Sequence, residues 1–169
     1  YKQRRFEQAD LCGVSLQVTP GTIRTQVDQD DAWFFYLAQN HSVIYDIGCN
    51  VGYTALLAMI QDPHRPYLMV DPNPNALNEA HHNLTHNQLG FKAYYFSGFV
   101  SDCIDASVKF YTIGSGAAGS MYASHAESAA ALQSFTEVKT VTLDYLYAYY
   151  GLTPDLVKID VEGAETLVL

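Results

Sequence analysis

A short apolar segment that ends in an acidic residue and a glycine-containing turn restricts the fold of this chain more than any other feature. Residues 42–46 have the length and character of a buried strand, and residues 53–60 follow as a helix that Asp62 and Pro63 end. Between them the sequence reads Asp46-Ile-Gly-Cys-Asn-Val-Gly52. A strand that enters a helix through such a turn is typical of open α/β sheets, in which ligands lie beyond the carboxyl ends of the strands.

The rest of the chain repeats the alternation of strands and helices. Two short strands are predicted at 14–18 and 22–27, around a turn at Pro20 and Gly21. Asp30 and Asp31 are the predicted cap of the first helix. The other predicted helices are 32–39, 75–87 and 145–150, and the other strands are 67–70, 93–100, 107–113, 138–143 and 156–159. This order predicts a Rossmann-like α/β fold, in which a mostly parallel sheet carries helices on both faces.

Charge and composition disfavour several classes of partner. The net charge is -9 and the chain has only 9 Lys and Arg residues, whereas nucleic-acid binding depends on basic side chains, so we expect no nucleic-acid partner. The apolar runs are too short to cross a bilayer and no leader peptide is visible, which predicts a cytoplasmic protein with no membrane partner. The 3 cysteines lack CxxC spacing and favour reduced, partly buried thiols. His82 and His86 have a zinc-like spacing but no third ligand, so no metal is expected.

Two acidic residues close successive predicted strands. The spacing around Asp46 differs from the GxGxxG pattern that receives a pyrophosphate, and an acid there would instead help to hold the cationic methionine end of a methyl donor, directly or through water. Asp71 closes the next strand, where a carboxylate accepts hydrogen bonds from both ribose hydroxyls. The alternatives are that Asp46 only forms the turn and that Asp71 caps a helix before Pro72.

Four segments resemble the methyltransferases of the FkbM type. Residues 43–54 resemble their DIGANxGxxT motif, with Cys49 in place of the commoner Ala. Residues 71–75 resemble the EPNP stretch, with Asp71 in place of Glu, and Ser101-Asp102 resembles the SD pair whose acid lies near the adenine. Residues 155–165 are close to DLIKIDVEGAE, the most specific match.

This resemblance implies a methyltransferase fold, S-adenosylmethionine as the cofactor, and usually O-methylation of a small molecule or sugar. It runs from about residue 30 to the end, so we expect an amino-terminal extension at 1–29 and a methyltransferase core at 30–169 that lacks its last strands. The cofactor-binding residues that follow from the resemblance are Asp46, Gly48, Asn50, Gly52, Thr54, Asp71, Pro72, Asn73, Ser101 and Asp102.

The reaction site is expected at the end of the last predicted strand. Lys158 and Asp160 alternate along it and share a face, so Asp160 is the candidate for the base that takes the acceptor's proton or for the group that orients the acceptor. Lys158 would hold the charge or the position of Asp160. The alternative is a purely structural ion pair, with Glu162 and Glu165 favouring the following helix N-terminus. Residues 114–130 are the expected acceptor-selecting loop.

Three functions remain open at this point. The first is an active small-molecule O-methyltransferase. The second is a dinucleotide-dependent dehydrogenase, which the missing third glycine and Asp46 argue against. The third is a cofactor-binding or scaffolding domain of the same fold that performs no chemistry, because fold alone does not fix function. An incomplete sheet edge would favour pairing with another chain, so a homo-oligomer is possible.

Overall fold

A computed structural model of the chain describes residues 5–26, 28–112, 119–120, 134–161 and 163–169. The helices are α1 (Gln29–Ala38), α2 (Tyr53–Met59), α3 (Pro74–His86), α4 (Leu143–Tyr150) and α5 (Glu165–Val168). The strands are β1 (Glu7–Leu11), β2 (Val14–Val18), β3 (Ile44–Ile47), β4 (Tyr67–Asp71), β5 (Ala93–Ser97), β6 (Phe99–Val100), β7 (Ser107–Thr112), β8 (Gly119–Ser120), β9 (Phe135–Val141) and β10 (Leu156–Ile159). Most of the predicted acceptor-selecting loop lies outside the described residues.

Four parallel strands form the central sheet, in the order β10-β3-β4-β5. From β3 the chain moves outward through β4 to β5, and it later returns to place β10 on the other side of β3. The direction of winding therefore reverses between β3 and β10, which is where open α/β sheets bind their ligands. The register places Lys158 of β10 opposite Asp46 of β3, and Asp46 opposite Met69 of β4.

Helices cover both faces of this sheet, which confirms the predicted α/β class. On one face α1, α2, α3 and the β1–β2 hairpin bury a core that includes Ile44, Leu56 and Met69. On the other face α4 and α5 bury a second core around Tyr45, Leu68 and Leu146. Two-sided burial explains why the sequences of β3 and β4 are almost continuously apolar.

The predicted strand at 93–100 is divided at Gly98. β5 stays in the central sheet, while β6 pairs in parallel with β9, which in turn pairs antiparallel with β7. The amide of Gly98 donates to the carbonyl oxygen of Asp71 at 3.2 Å, and a Cβ at Gly98 would lie 2.6 Å from the ring of Phe96. The expectation of a mostly parallel sheet therefore holds for the central strands, whereas the second sheet is mixed.

The predicted amino-terminal hairpin is wrong in its pairing. β2 pairs with the preceding β1, through a turn at Cys12 and Gly13 that both have positive φ, and no strand forms at 22–26. After Pro20 and Gly21 the chain turns back on itself, and the amide of Thr22 donates to the carbonyl of Thr19 at 3.1 Å. Asn83 of α3 then holds this segment against the central core, because its carbonyl oxygen accepts from the amide of Thr19 at 2.8 Å.

The cap of α1 also differs from the prediction. Asp28 is the N-cap, since its carboxylate accepts from the amide of Asp31 at 2.9 Å. Asp31 returns the interaction by accepting from the amide of Asp28, which completes a capping box. The helix therefore begins at Gln29, earlier than predicted.

The state of the three cysteines agrees with the prediction, but their burial agrees only in part. All three thiols are free, but only Cys49 is buried, whereas Cys12 and Cys103 are exposed. Across the described ranges, the structure contains no helix with the length and apolar character of a membrane span.

Candidate cofactor site

The turn after β3 is packed tightly between two neighbouring elements. Gly48 has a φ of 82°, and a Cβ there would lie 1.9 Å from the carbonyl oxygen of Asp160. Gly52 has a φ of 84°, and a Cβ there would lie 2.8 Å from the Cβ of Ala80 in α3. Sequence reasoning assigned both glycines to the approach of a ligand. The structure adds a second reason, because the end of β10 and the helix α3 already occupy the space that side chains would need.

Asp46 lies fully buried beneath this turn, with 0% of its surface exposed. Its Oδ2 accepts hydrogen bonds from the hydroxyl of Thr54 at 2.5 Å and from that of Tyr67 at 2.9 Å. Its Oδ1 lies 3.1 Å from the Nζ of Lys158, in a buried ion pair. Buried charges are costly unless they are paired and hydrogen-bonded, and both conditions are met here.

Lys158 connects β3, its turn and the end of β10. Besides the ion pair with Asp46, its Nζ donates to the carbonyl oxygen of Gly48 at 2.8 Å and lies 3.6 Å from Oδ2 of Asp160. Burial by itself lowers the pKa of Lys158, but the carboxylates of Asp46 and Asp160 outweigh it, and the net shift is upward. The ammonium group is therefore a fixed positive charge at the switch point of the sheet.

The sequence placed Lys158 beside Asp160, and the structure brings the two together. The closer carboxylate partner of Lys158 is nevertheless Asp46, at 3.1 Å, a pairing that no sequence pattern indicated. The side chain of Asp160 is 53% exposed, while that of Lys158 is only 16% exposed. Asp160 is thus the exposed member of this group, whereas Lys158 and Asp46 are largely buried.

Asp71 ends β4 and joins the two turns of the site. Its Oδ2 accepts from the amide of Asn50 at 2.8 Å, and its Oδ1 accepts from the amide of Asn73 at 2.8 Å. Burial raises the pKa of Asp71 to about 6, against the opposing effect of these two hydrogen bonds. A carboxylate has about four lone-pair sites, so both oxygens keep the capacity to accept from a further hydroxyl. The free acceptor positions of this carboxylate therefore fit the two hydroxyl groups of a ribose, as the position of Asp71 at the end of its strand predicted.

The segment after Asp71 starts α3. The N-cap is Asn73, whose side chain accepts from the amide of Asn75 at 3.0 Å, and Pro74 occupies the first helical position. Asp71 is thus not the cap of this helix, contrary to the alternative given above. Pro72 lies between the carboxylate and the cap and is partly exposed.

Ser101 and Asp102 follow β6. The buried Ser101 donates its amide to the carbonyl of Val141 at 2.8 Å, and its hydroxyl lies 3.1 Å from a carboxylate oxygen of the exposed Asp102. The structure links this segment to Asp71 through Gly98, three residues before Ser101.

The carboxylate of Glu165 lies at the start of α5. It accepts hydrogen bonds from the amides of Val161 at 3.2 Å and Gly163 at 3.1 Å. This contact agrees with the structural alternative for Glu165. Glu162 lies outside the described residues.

Sequence reasoning missed the contacts of two residues, one in the site and one at the opposite end of the strands that carry it. Tyr67 was only one member of an apolar strand, and nothing in its neighbourhood in the sequence indicates a contact with Asp46. Asp155 accepts hydrogen bonds from the amides of Ser42 and Val43, both at 2.8 Å, and so aligns the starts of β10 and β3. Its position at the head of the 155–165 segment was the available signal.

The family model described as "Methyltransferase FkbM domain" matches residues 46–169. No curated protein matches the chain significantly.

Solved structures with a similar chain trace include three methyltransferases. That from Geobacter sulfurreducens has 17% identity and a TM-score of 0.39, over 44% of this chain and 40% of that one. An S-adenosylmethionine-dependent methyltransferase from Agrobacterium tumefaciens has 13% identity and a TM-score of 0.43, over 59% and 34%. The tRNA (uracil-54, C5)-methyltransferase from Pyrococcus abyssi, in complex with S-adenosyl-L-homocysteine, has 16% identity and a TM-score of 0.40, over 57% and 24%. The chain matches at most 40% of the length of these three proteins.

Proposed function

The chain belongs to the FkbM methyltransferase domain family, whose model covers residues 46–169, and we propose that it methylates a hydroxyl group of a small molecule or a sugar. The cofactor that goes with this family is S-adenosylmethionine, which supplies an electrophilic methyl group on a sulfonium centre. The observation that carries the proposal is the buried carboxylate of Asp71 between the two turns. It has the burial, the position and the remaining acceptor capacity that a ribose needs.

The donor would be held at the edge where β3 and β4 end. Asp71 would accept hydrogen bonds from the ribose hydroxyls, and the backbone of the turn from Gly48 to Gly52 would contact the methyl donor. Asn50 and Asn73 belong to the two turns that Asp71 joins. We also assign Ser101 and Asp102 to the adenine side, as the family resemblance implies.

Asp46 contributes in a different way from the one that its sequence position suggested. It has no exposed surface, and hydrogen bonds and an ion pair engage both of its carboxylate oxygens. In our proposal Asp46 acts on the donor through the turn above it and makes no direct contact with the methionine group. Thr54 belongs to the same support, because its hydroxyl donates to Asp46.

Asp160 is the residue that we assign to the acceptor. It is half exposed, directly beside the turn, and its charge is oriented by Lys158 at 3.6 Å. A carboxylate within hydrogen-bond reach of a hydroxyl can take its proton as the new O–C bond forms, or can orient it for an in-line displacement. Lys158 touches neither substrate in this scheme and is a positioning residue.

A calorimetric titration with S-adenosylhomocysteine tests the donor site. We expect binding by the parent chain. Asp71→Asn keeps the shape of the side chain but removes its charge, and it should lower the affinity at least tenfold, or by about 1.4 kcal/mol. Asp105→Asn is the matched control, because Asp105 is an exposed acid whose ion pair, among the described residues, is with the exposed Lys139. Absence of binding by the folded parent, or equal binding by Asp71→Asn, would contradict the assignment.

Two further measurements separate the alternatives. Titration with NADH tests a dinucleotide-dependent dehydrogenase, for which Asp46 and the missing third glycine are unfavourable. A screen of hydroxylated small molecules and sugars for S-adenosylhomocysteine release tests turnover. Donor binding without release for any acceptor would support the non-catalytic alternative, in which the domain only binds the cofactor.

A further inference from the structure

Tyr67 carries a hydroxyl group into the buried centre of the sheet. The residue is 0% exposed, and its hydroxyl donates to Oδ2 of Asp46 at 2.9 Å from the neighbouring strand. Burial and the adjacent Asp46 carboxylate raise the pKa of Tyr67 well above its ordinary value, so the hydroxyl remains a donor. The next three residues of the strand, 68–70, are apolar, and the hydroxyl of Tyr67 has to be satisfied inside the core.

A continuous series of polar contacts leads from this hydroxyl to the turn from Gly48 to Gly52, against which the methyl donor is proposed to bind. Tyr67 holds one oxygen of Asp46, and the other oxygen pairs with Lys158 at 3.1 Å. The same ammonium group donates to the carbonyl oxygen of Gly48 at 2.8 Å and lies 3.6 Å from Asp160. A rotation of the Asp46 carboxylate would therefore displace the cation that fixes the turn on one side and Asp160 on the other.

We propose that Tyr67 is a positioning residue of the donor site, which acts through Asp46 and Lys158 on the carbonyl group of Gly48. The inference rests on the proposed function, because Tyr67 reaches the donor only through the turn. Thr54 alone would leave Oδ2 of Asp46 held from one direction. The second hydroxyl, which comes from β4, fixes the plane of the carboxylate and with it the position of the ammonium group.

The chain offers a matched control for this idea. Tyr45 is as deeply buried as Tyr67, at 1% exposed, and lies on the adjacent strand β3, on the opposite face of the sheet. Its hydroxyl donates to the carbonyl oxygen of Leu152 at 2.7 Å and makes no contact with Asp46 or Lys158 among the described residues. Tyr45→Phe and Tyr67→Phe each remove one buried hydroxyl, but only Tyr67→Phe alters the support of the turn.

The first test is the affinity for S-adenosylhomocysteine, measured by calorimetry at a temperature where each variant is folded. We expect Tyr67→Phe to bind about fivefold more weakly than the parent, which corresponds to about one lost hydrogen bond, and Tyr45→Phe to bind like the parent. Thr54→Val, which removes the other donor to the same oxygen, is the second variant and should also weaken binding. If Tyr67→Phe binds like the parent, or if Tyr45→Phe loses as much affinity as Tyr67→Phe, the inference is wrong.

The second test asks whether Tyr67 acts through the buried pair. In the background Asp46→Asn with Lys158→Met, the added Tyr67→Phe change should leave the affinity unchanged, because its route to the turn is already gone. A further fivefold loss in that background would show that Tyr67 acts in another way. A folded parent that binds no S-adenosylhomocysteine would instead overturn the proposed function, so the two failures are distinguishable.

Discussion

The Nζ of Lys158 donates a hydrogen bond to the carbonyl oxygen of Gly48 at 2.8 Å, so a charged side chain of β10 holds the backbone of the turn that follows β3. Gly48 in turn lies so close to the carbonyl of Asp160 that no Cβ fits between them. The end of β10, which leads into Asp160, and the turn that we propose to contact the methyl donor therefore form one packed unit.

Removal of the Lys158 charge should destabilise the fold strongly. Lys158→Met leaves the fully buried Asp46 without its cation, and we expect the free energy of unfolding to fall by about 3–5 kcal/mol. The double variant with Asp46→Asn should recover much of this loss, since neither side chain is then charged. Urea unfolding measures both effects. Lys139→Met, at an exposed ion pair, is the control and should change stability by less than about 1 kcal/mol.

The affinity for S-adenosylhomocysteine should fall as the solution becomes more acidic than about pH 6. The pKa of Asp71 is raised to about 6, and ribose hydroxyls donate to its ionised form, so protonation competes with binding. Below this pH we expect a loss approaching tenfold per pH unit, measured by calorimetry from pH 5 to pH 8. Asp71→Asn should show weak binding without this dependence. An equally steep pH profile in Asp71→Asn would assign the effect to another group.

Asp71 should also affect the stability of the unliganded protein, but with a pH dependence opposite to that of the affinity. Its pKa in the folded state lies above that of an unfolded aspartate, so its contribution is most favourable at low pH and is lost as the pH rises to about 6. We therefore expect the pH dependence of unfolding to change in Asp71→Asn between about pH 4 and pH 6. Chemical unfolding across this range tests the sign.

Replacement of Gly48 should cost more than its backbone conformation alone explains. Gly13 and Gly48 have nearly the same φ, 81° and 82°, but a Cβ at Gly13 would meet nothing within 4 Å. Gly13→Ala should therefore report only the left-handed conformation, about 1–2 kcal/mol. Gly48→Ala adds a collision with the carbonyl of Asp160 and should destabilise the fold by clearly more in the same unfolding experiment. Equal losses would mean that the turn can move away from β10 freely.

Asp160→Asn should separate donor binding from methyl transfer. The side chain lies beside the turn and does not support it, so we expect the affinity for S-adenosylhomocysteine to stay within about twofold of the parent. With an accepted hydroxyl substrate, turnover should fall by about 10²–10⁴-fold if the carboxylate takes the proton. Asp105→Asn again serves as the exposed control. Turnover that is unaffected at all pH values would remove Asp160 from the reaction.

The strand–turn–helix unit and its neighbours were predictable because their signals are local. The apolar runs of β3, β4 and β10, the positions of Gly48 and Gly52, and the acids that close successive strands can all be read within a few residues. Parallel pairing followed from the alternation of elements. The fold class and the approximate positions of the strands and helices could thus be predicted without knowledge of tertiary contacts.

The errors arise where a tertiary contact outweighs a local signal. Pro20-Gly21 is a stronger turn signal than Cys12-Gly13, yet the hairpin forms around Cys12-Gly13. The sequence of residues 93–100 predicts one strand. In the structure the amide of Gly98 donates a hydrogen bond to the carbonyl oxygen of Asp71, and the chain continues from there into a second sheet. The contact of Tyr67 with Asp46 spans 21 residues and depends on strand register, which the sequence does not display.

The two hydrogen bonds that Asp71 accepts from backbone amides affect the thermodynamics of cofactor binding. Because one carboxylate fixes both Asn50 and Asn73, the two turns are ordered by the protein itself before any nucleoside arrives. Little conformational entropy is then left to be lost on association, and binding should carry a correspondingly small entropic penalty. A substitution at Asp71 would therefore remove the proposed ribose contact and, in addition, transfer the entropic cost of ordering two turns to the binding step.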